Sequence, residues 1–225
     1  MAARPSQNAR RFISASGADR THMPSVSTKG PALLAGAAGT LCLIAALPAH
    51  AHHLMELTGM APTPLNGLLS GLAHPVIGPD HLLFLLALAL VALRRPLPWV
   101  AGLLGVGMLG SVVGLVWPAL PGAELLVSLS LVLEALVILE RLPAGLLVPA
   151  MALHGYVLSA SVLGWNSMPI ATYLVGLLVS QLVLLVLTQT LMKRAATVVQ
   201  PSRRRLIALA LMGLGGAWAV AQVMA

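Results

Sequence analysis

The sequence predicts an all-α fold: a polytopic helical membrane protein with about five transmembrane helices after a cleaved signal peptide. Three observations lead there. Of 225 residues, 58% are hydrophobic and only 8% are charged, whereas soluble domains are about 25% charged. Mean hydropathy is +0.93. Several apolar runs have the roughly 20-residue length that crosses a bilayer as a helix, and they lack the alternation of a barrel strand. The formal charge of +7 could suggest a nucleic-acid partner. The basic residues are scattered over separate loops instead of forming one patch, so the partners expected are the lipid bilayer and no nucleic acid.

The chain opens with a polar, basic stretch carrying Arg4, Arg10, Arg11, Arg20 and Lys29, followed by an apolar run over residues 31–47 and then Pro48-Ala49-His50-Ala51. A basic leader, a short apolar core and an A-x-A site describe a secretory signal peptide, here residues 1–51. Its polar leader is unusually long, and a start at Met23 would give an ordinary one. The competing reading keeps residues 32–47 as a membrane anchor, although the run is short for spanning. Cys42, the sole cysteine, falls in this removed segment, so disulfides and thiolate metal sites are not expected. The remainder, residues 52–225, reads as a single transmembrane helical domain. It begins with His52 and His53, a pair able to capture a divalent metal weakly, or simply a polar leader.

Helices are expected near residues 66–93, 97–117, 122–140, 143–163 and 168–192, with a further apolar, structural segment at 206–222. In the second of these, Gly110-x-x-x-Gly114 has the spacing that lets helices pack closely. The eight Lys and Arg residues beyond the signal are Arg94, Arg95, Arg141, Lys193, Arg194, Arg203, Arg204 and Arg205. With the mature N-terminus outside, all eight fall in cytoplasmic loops, which is the positive-inside pattern.

The unusual stretch is His74-Pro75-Val76-Ile77-Gly78-Pro79-Asp80-His81, inside the first apolar segment. An ionisable group at mid-bilayer costs roughly 2.5–3.5 kcal/mol on insertion scales, so intramembrane charge marks function by default. On a straight helix His74 lies about 9 Å above Asp80 and shares a face with His81. Pro75, Gly78 and Pro79 are expected to kink the backbone. His154 and Glu134 fall at similar depth on other segments, as Ser180 and Gln181 do. Convergence at the midplane is how transporter substrate sites are built. His74, Asp80, His81 and His154, with Glu134 less firmly, therefore form a candidate set of nitrogen and oxygen ligands for a borderline divalent ion such as Ni2+, Co2+ or Zn2+. Asp80 cannot share a face with His81 and reads as charge compensation or as a ligand on the kinked backbone. The bland alternatives are that His154 is a hydrogen-bonded packing residue, that Glu134 is protonated and bonded to Ser128, Ser130 or a neighbouring backbone group, and that Met151, Ser180 and Gln181 pack helices together.

The octapeptide, of the form His-Pro-x-x-Gly-x-Asp-His, resembles the signature of the HupE/UreJ family. The Ala49-His50-Ala51-His52 end of the leader and His154-Gly155 are also similar to that family's pattern. Its second motif is richer, with a further histidine and a glutamate, where this chain runs Tyr156-Val157-Leu158-Ser159-Ala160. The resemblance implies a permease for Ni2+ or Co2+ in a bacterial inner (plasma) membrane, mature N-terminus periplasmic, associated with hydrogenase or urease maturation. Its ligands would be His74, Asp80, His81 and His154. No prosthetic group is expected, only the transported or bound divalent metal, and no enzymatic activity. Two alternatives stay open: an intramembrane zinc hydrolase, and a metal-binding accessory membrane protein without transport.

Overall fold

A computed structural model of the chain describes residues 61–195 and 200–224. The signal peptide, the alternative start at Met23, Cys42, His52 and His53 lie outside the described residues. Within them the fold is all-helical: α1 Pro64–Ile77, α2 Pro79–Ala92, α3 Leu97–Val116, α4 Ala123–Ile138, α5 Leu147–Leu158, α6 Ser167–Arg194 and α7 Pro201–Met224. Short 3-10 segments, Ala144–Leu146 and Ser159–Val162, extend α5 at both ends.

The expected first helix, residues 66–93, is two helices bent by 73° at one residue. Local chemistry accounts for the break. Pro79 has no N–H and takes the first position of α2, where none is needed. The residue before a proline is pushed out of the helical region, and Gly78 sits at φ −75°, ψ 107°. Each half has 14 residues, about 21 Å, against a hydrocarbon core of about 30 Å. Neither half is long enough to cross alone, and a pair bent this sharply is either one broken span or a re-entrant loop.

Among the described residues, α3, the continuous Ala144–Val162 unit, α6 and α7 are long and apolar enough to cross a membrane, and α1 with α2 makes a fifth if the bent pair is one span. The protein is thus a polytopic helical membrane protein. The 16-residue α4, about 24 Å long, is shorter than these and packs against α7.

Helices associate in close pairs, α1 with α6, α3 with α5 and α4 with α7, around α2, which touches both α4 and α6. Lipid tails are as apolar as leucine, so close backbone approach has to hold the helices together. Glycines permit it. A Cβ on Gly71 would collide with the Tyr173 carbonyl, and one on Gly155 with the Gly107 carbonyl. Gly110 and Gly114 do the packing work their spacing predicted, against Ala152 and against Tyr156 and Ser159. From Phe84 to Ala92 every residue of α2 except Leu86 is buried, and Phe84 and Leu88 share a core with the fully buried Leu131 of α4 and Leu147 and Met151 of α5. A helix apolar all round belongs at the centre of a bundle. Met151 is part of that core, in line with its packing reading.

Candidate metal centre

Three imidazoles meet where the chain breaks. His74 lies in the last turn of α1, His81 in the first turn of α2, and His154 comes from α5. On a straight helix residues 74 and 81 would be separated by about 10.5 Å along the axis. With the bend, their ring centroids are 5.9 Å apart. His81 and His154 stand 5.0 Å apart, centroid to centroid, and Phe84 stacks on His154 at 4.0 Å. All three histidines are buried. Gly78 is needed here for space: a Cβ on it would lie 2.8 Å from His81 Cδ2 and 3.3 Å from Asp80 Oδ1.

The hydrogen bonds orient the rings. Ser130 Oγ is 2.6 Å from the Val127 carbonyl and 2.8 Å from His154 Nε2. A hydroxyl has one proton. With that proton on the shorter contact, to Val127, the Ser130 oxygen accepts from His154 Nε2–H. His154 then has its lone pair on Nδ1, which faces His81 Nδ1 at 2.8 Å. His81 therefore donates from Nδ1 and carries its lone pair on Nε2. The same count works on the other side. Tyr173 gives its proton to the Leu158 carbonyl, so its oxygen accepts from His74 Nδ1, 3.0 Å away. Ser161 Oγ adds a contact to the same nitrogen at 3.2 Å. His74 likewise carries its lone pair on Nε2. In neutral histidine, the hydrogen bond at one nitrogen sets which nitrogen can ligate. Here it leaves the lone pair of both His74 and His81 on Nε2, the atom open to a ligand, with His154 as the group that orients His81.

Asp80 is half-buried in the first turn of α2. Its Oδ1 accepts from the His81 backbone N–H at 2.9 Å, and its charge suits the positive end of the helix dipole. Glu134 is fully buried, one turn beyond Ser130 on α4. Neither of its oxygens has a hydrogen-bond partner among the described residues. Ser128 and Ser130 do not serve it, because their hydroxyls reach the Glu124 and Val127 carbonyls. Gln181 is also buried, with Oε1 without a partner. Among the described residues no three His, Cys, Asp or Glu side chains stand close enough to hold one ion. The structure brings His74, His81 and His154 together as a chain of rings and leaves Glu134 one turn away from it along α4.

Tyr173 and Ser161 were not found from sequence. Tyr173 lies in a long apolar helix with no pattern around it. The available signal was general: a tyrosine hydroxyl placed deep in an apolar segment needs a partner.

No curated protein and no solved structure matches the chain. A family model described as HupE / UreJ protein matches residues 40–219. That match covers most of the chain and all three imidazoles, and the chain belongs to the HupE / UreJ family.

Proposed function

We propose that this protein is a secondary permease that moves a divalent transition metal, Ni2+ or Co2+, into the cytoplasm through the interior between α1, α2 and α5. The mature N-terminus faces outside, and the arginine-bearing loops face the cytoplasm. The observation that carries the reading is the contact of three buried imidazoles at a broken helix, with ring centroids 5.9 and 5.0 Å apart. Irregular backbone at membrane depth is tolerated where it lines protein or a cavity. His74 and His81 would exchange water for Nε2 ligation, and Asp80 beside them would offset the ion's charge. His154 would hold the His81 ring and Glu134 would meet the ion further in.

The sparse ligand set suits transport. Conduction needs binding weak enough to release, and two imidazoles with water hold an ion less tightly than a closed four-ligand cage. The membrane potential supplies about 2.3 kcal/mol per charge per 100 mV, hence roughly 4.6 kcal/mol for a divalent ion. The chain contains no G-x-x-x-x-G-K-[ST] phosphate loop that would point to ATP hydrolysis. The deciding experiment is nickel and cobalt accumulation in cells expressing the wild type, His74→Ala or Asp80→Asn. Uptake by the wild type with loss in both variants is expected. Absence of metal-dependent uptake by the wild type sinks the proposal. One tightly bound zinc with hydrolytic activity would replace it by the hydrolase reading.

A further inference from the structure

A cavity of about 440 Å³ opens where the C-terminal ends of α3, α5 and α7 meet the start of α4. It lies at the end of the bundle opposite to Arg141 and Arg203–Arg205, since α4 and α7 each have one end at the cavity and the other at those arginines. No Lys or Arg lines it, and Glu124 does. We infer that this cavity is an outer vestibule that gathers a hydrated divalent cation and delivers it to His74. The inference rests on the permease reading and assigns a second binding place to the same path.

Three features carry it. The first is the wall between the cavity and the first imidazole. Ser159 and Ala160 line the cavity, and the next residue, Ser161, has its hydroxyl 3.2 Å from His74 Nδ1. All three belong to the single 3-10 segment Ser159–Val162, so the wall is one turn thick. The second is size. A cation with six waters occupies on the order of 180 Å³ at about 30 Å³ per water, well within the cavity. The third is charge. The described Lys and Arg residues cluster at the opposite end, and a low-dielectric mouth bearing one carboxylate concentrates cations. The Tyr156 hydroxyl, which also lines the cavity, is 2.7 Å from the Trp117 carbonyl and 2.8 Å from the Leu120 backbone N–H. It ties the backbone of Trp117 and Leu120, at the rim, to α5. In the first turn of α4 Glu124 also favours the helix dipole. That role alone would affect stability but not the dependence of uptake on ion concentration.

The test uses cysteine accessibility. Cys42 is the only native cysteine and is replaced by serine. Ala160→Cys in this background is treated with a membrane-impermeant methanethiosulfonate on spheroplasts, with Leu163→Cys as a second probe should the first variant fail to fold. Modification from outside, slowed by Ni2+ or Co2+ and followed by loss of uptake, is expected. Modification only in inverted vesicles, or modified protein with undiminished uptake, overturns the vestibule. Metal protection of the cysteine can be read even in a protein that transports nothing, so failure of the permease reading is told apart from failure of this one. Glu124→Gln should raise the half-saturating metal concentration several-fold, and by more than it lowers the maximal rate. An unchanged half-saturating concentration overturns the role of Glu124.

Discussion

The two walls of the histidine chain are built by different means. On one side, His74 and His81 belong to neighbouring stretches of chain and meet because the backbone breaks between them at Gly78 and Pro79. On the other, His154 and Ser130 sit on separate helices, α5 and α4. They meet through packing, with Gly155 of α5 seated against Gly107 of α3. The first wall is therefore written in local sequence and the second depends on helix contacts. A substitution in the first should disturb the site, whereas one in the packing of the second should disturb the fold.

Gly155→Val gives the largest expected effect. Its side chain would strike the Gly107 backbone, which cannot move aside as a flexible side chain can. Overpacking costs about 1–3 kcal/mol where side chains adjust, so loss of folded protein in detergent is expected, read by size-exclusion recovery. A stable, monodisperse Gly155→Val would show that α3 and α5 do not hold the second wall.

Next in size, His81→Ala should abolish uptake, while His154→Ala, which removes an orienting group, should weaken the half-saturating concentration by about 10–100-fold. If Ser130 acts only through His154, Ser130→Ala added to His154→Ala costs nothing further, since groups in one network are not additive. Uptake kinetics on the four variants check this. An additive Ser130 effect would break the proton count that puts the His81 lone pair on Nε2.

Glu134→Met probes the buried carboxyl without partners. Burying a polar group unsatisfied costs about 1–3 kcal/mol in proteins. The variant should therefore be more stable by a similar amount in thermal unfolding, and slower in uptake. Reduced stability would mean that Glu134 is satisfied by a group such as an internal water.

The smallest effect is expected at the arginine-bearing end of the bundle, where Glu140 lies 2.8 Å from Arg94 and 3.5 Å from Arg204. The Glu140 and Arg94 side chains are 67% and 60% exposed, and exposed pairs are worth about 0–1 kcal/mol. Glu140→Ala should lower stability by less than about 1 kcal/mol on that account. Glu140 also holds a left-handed backbone, φ 59°, so Glu140→Gly, which relieves that conformation, should be milder still. Thermal unfolding of the two variants orders them.

Several features of the fold could be read directly from residues. The apolar runs located the helices, and the scattered arginines argued for a topology. Pro79 and Gly78 announced a break, but not its angle. A kinked helix and two helices at 73° have the same proline and glycine, and the neighbours α4 and α6 fill the space the bend opens. Ser128 and Ser130 looked like partners for Glu134 because all three lie close along one helix. Their hydroxyls instead turn back to backbone carbonyls, a local alternative open to any helical serine. Tyr173 was not legible at all, since its role depends on His74 and Leu158 standing beside it.

The sequence by itself determined the class of protein, the approximate place of each apolar segment and the octapeptide at which the first of them breaks. These follow from constraints that act along the chain: bilayer thickness sets helix length, and proline acts on its own neighbours. Only the tertiary structure decided that His81 faces His154 rather than Glu134, and that Tyr173 and Ser161 hold His74. Which side chains meet across helices depends on rotation and separation, and those are set by glycine contacts between partners far apart in the chain.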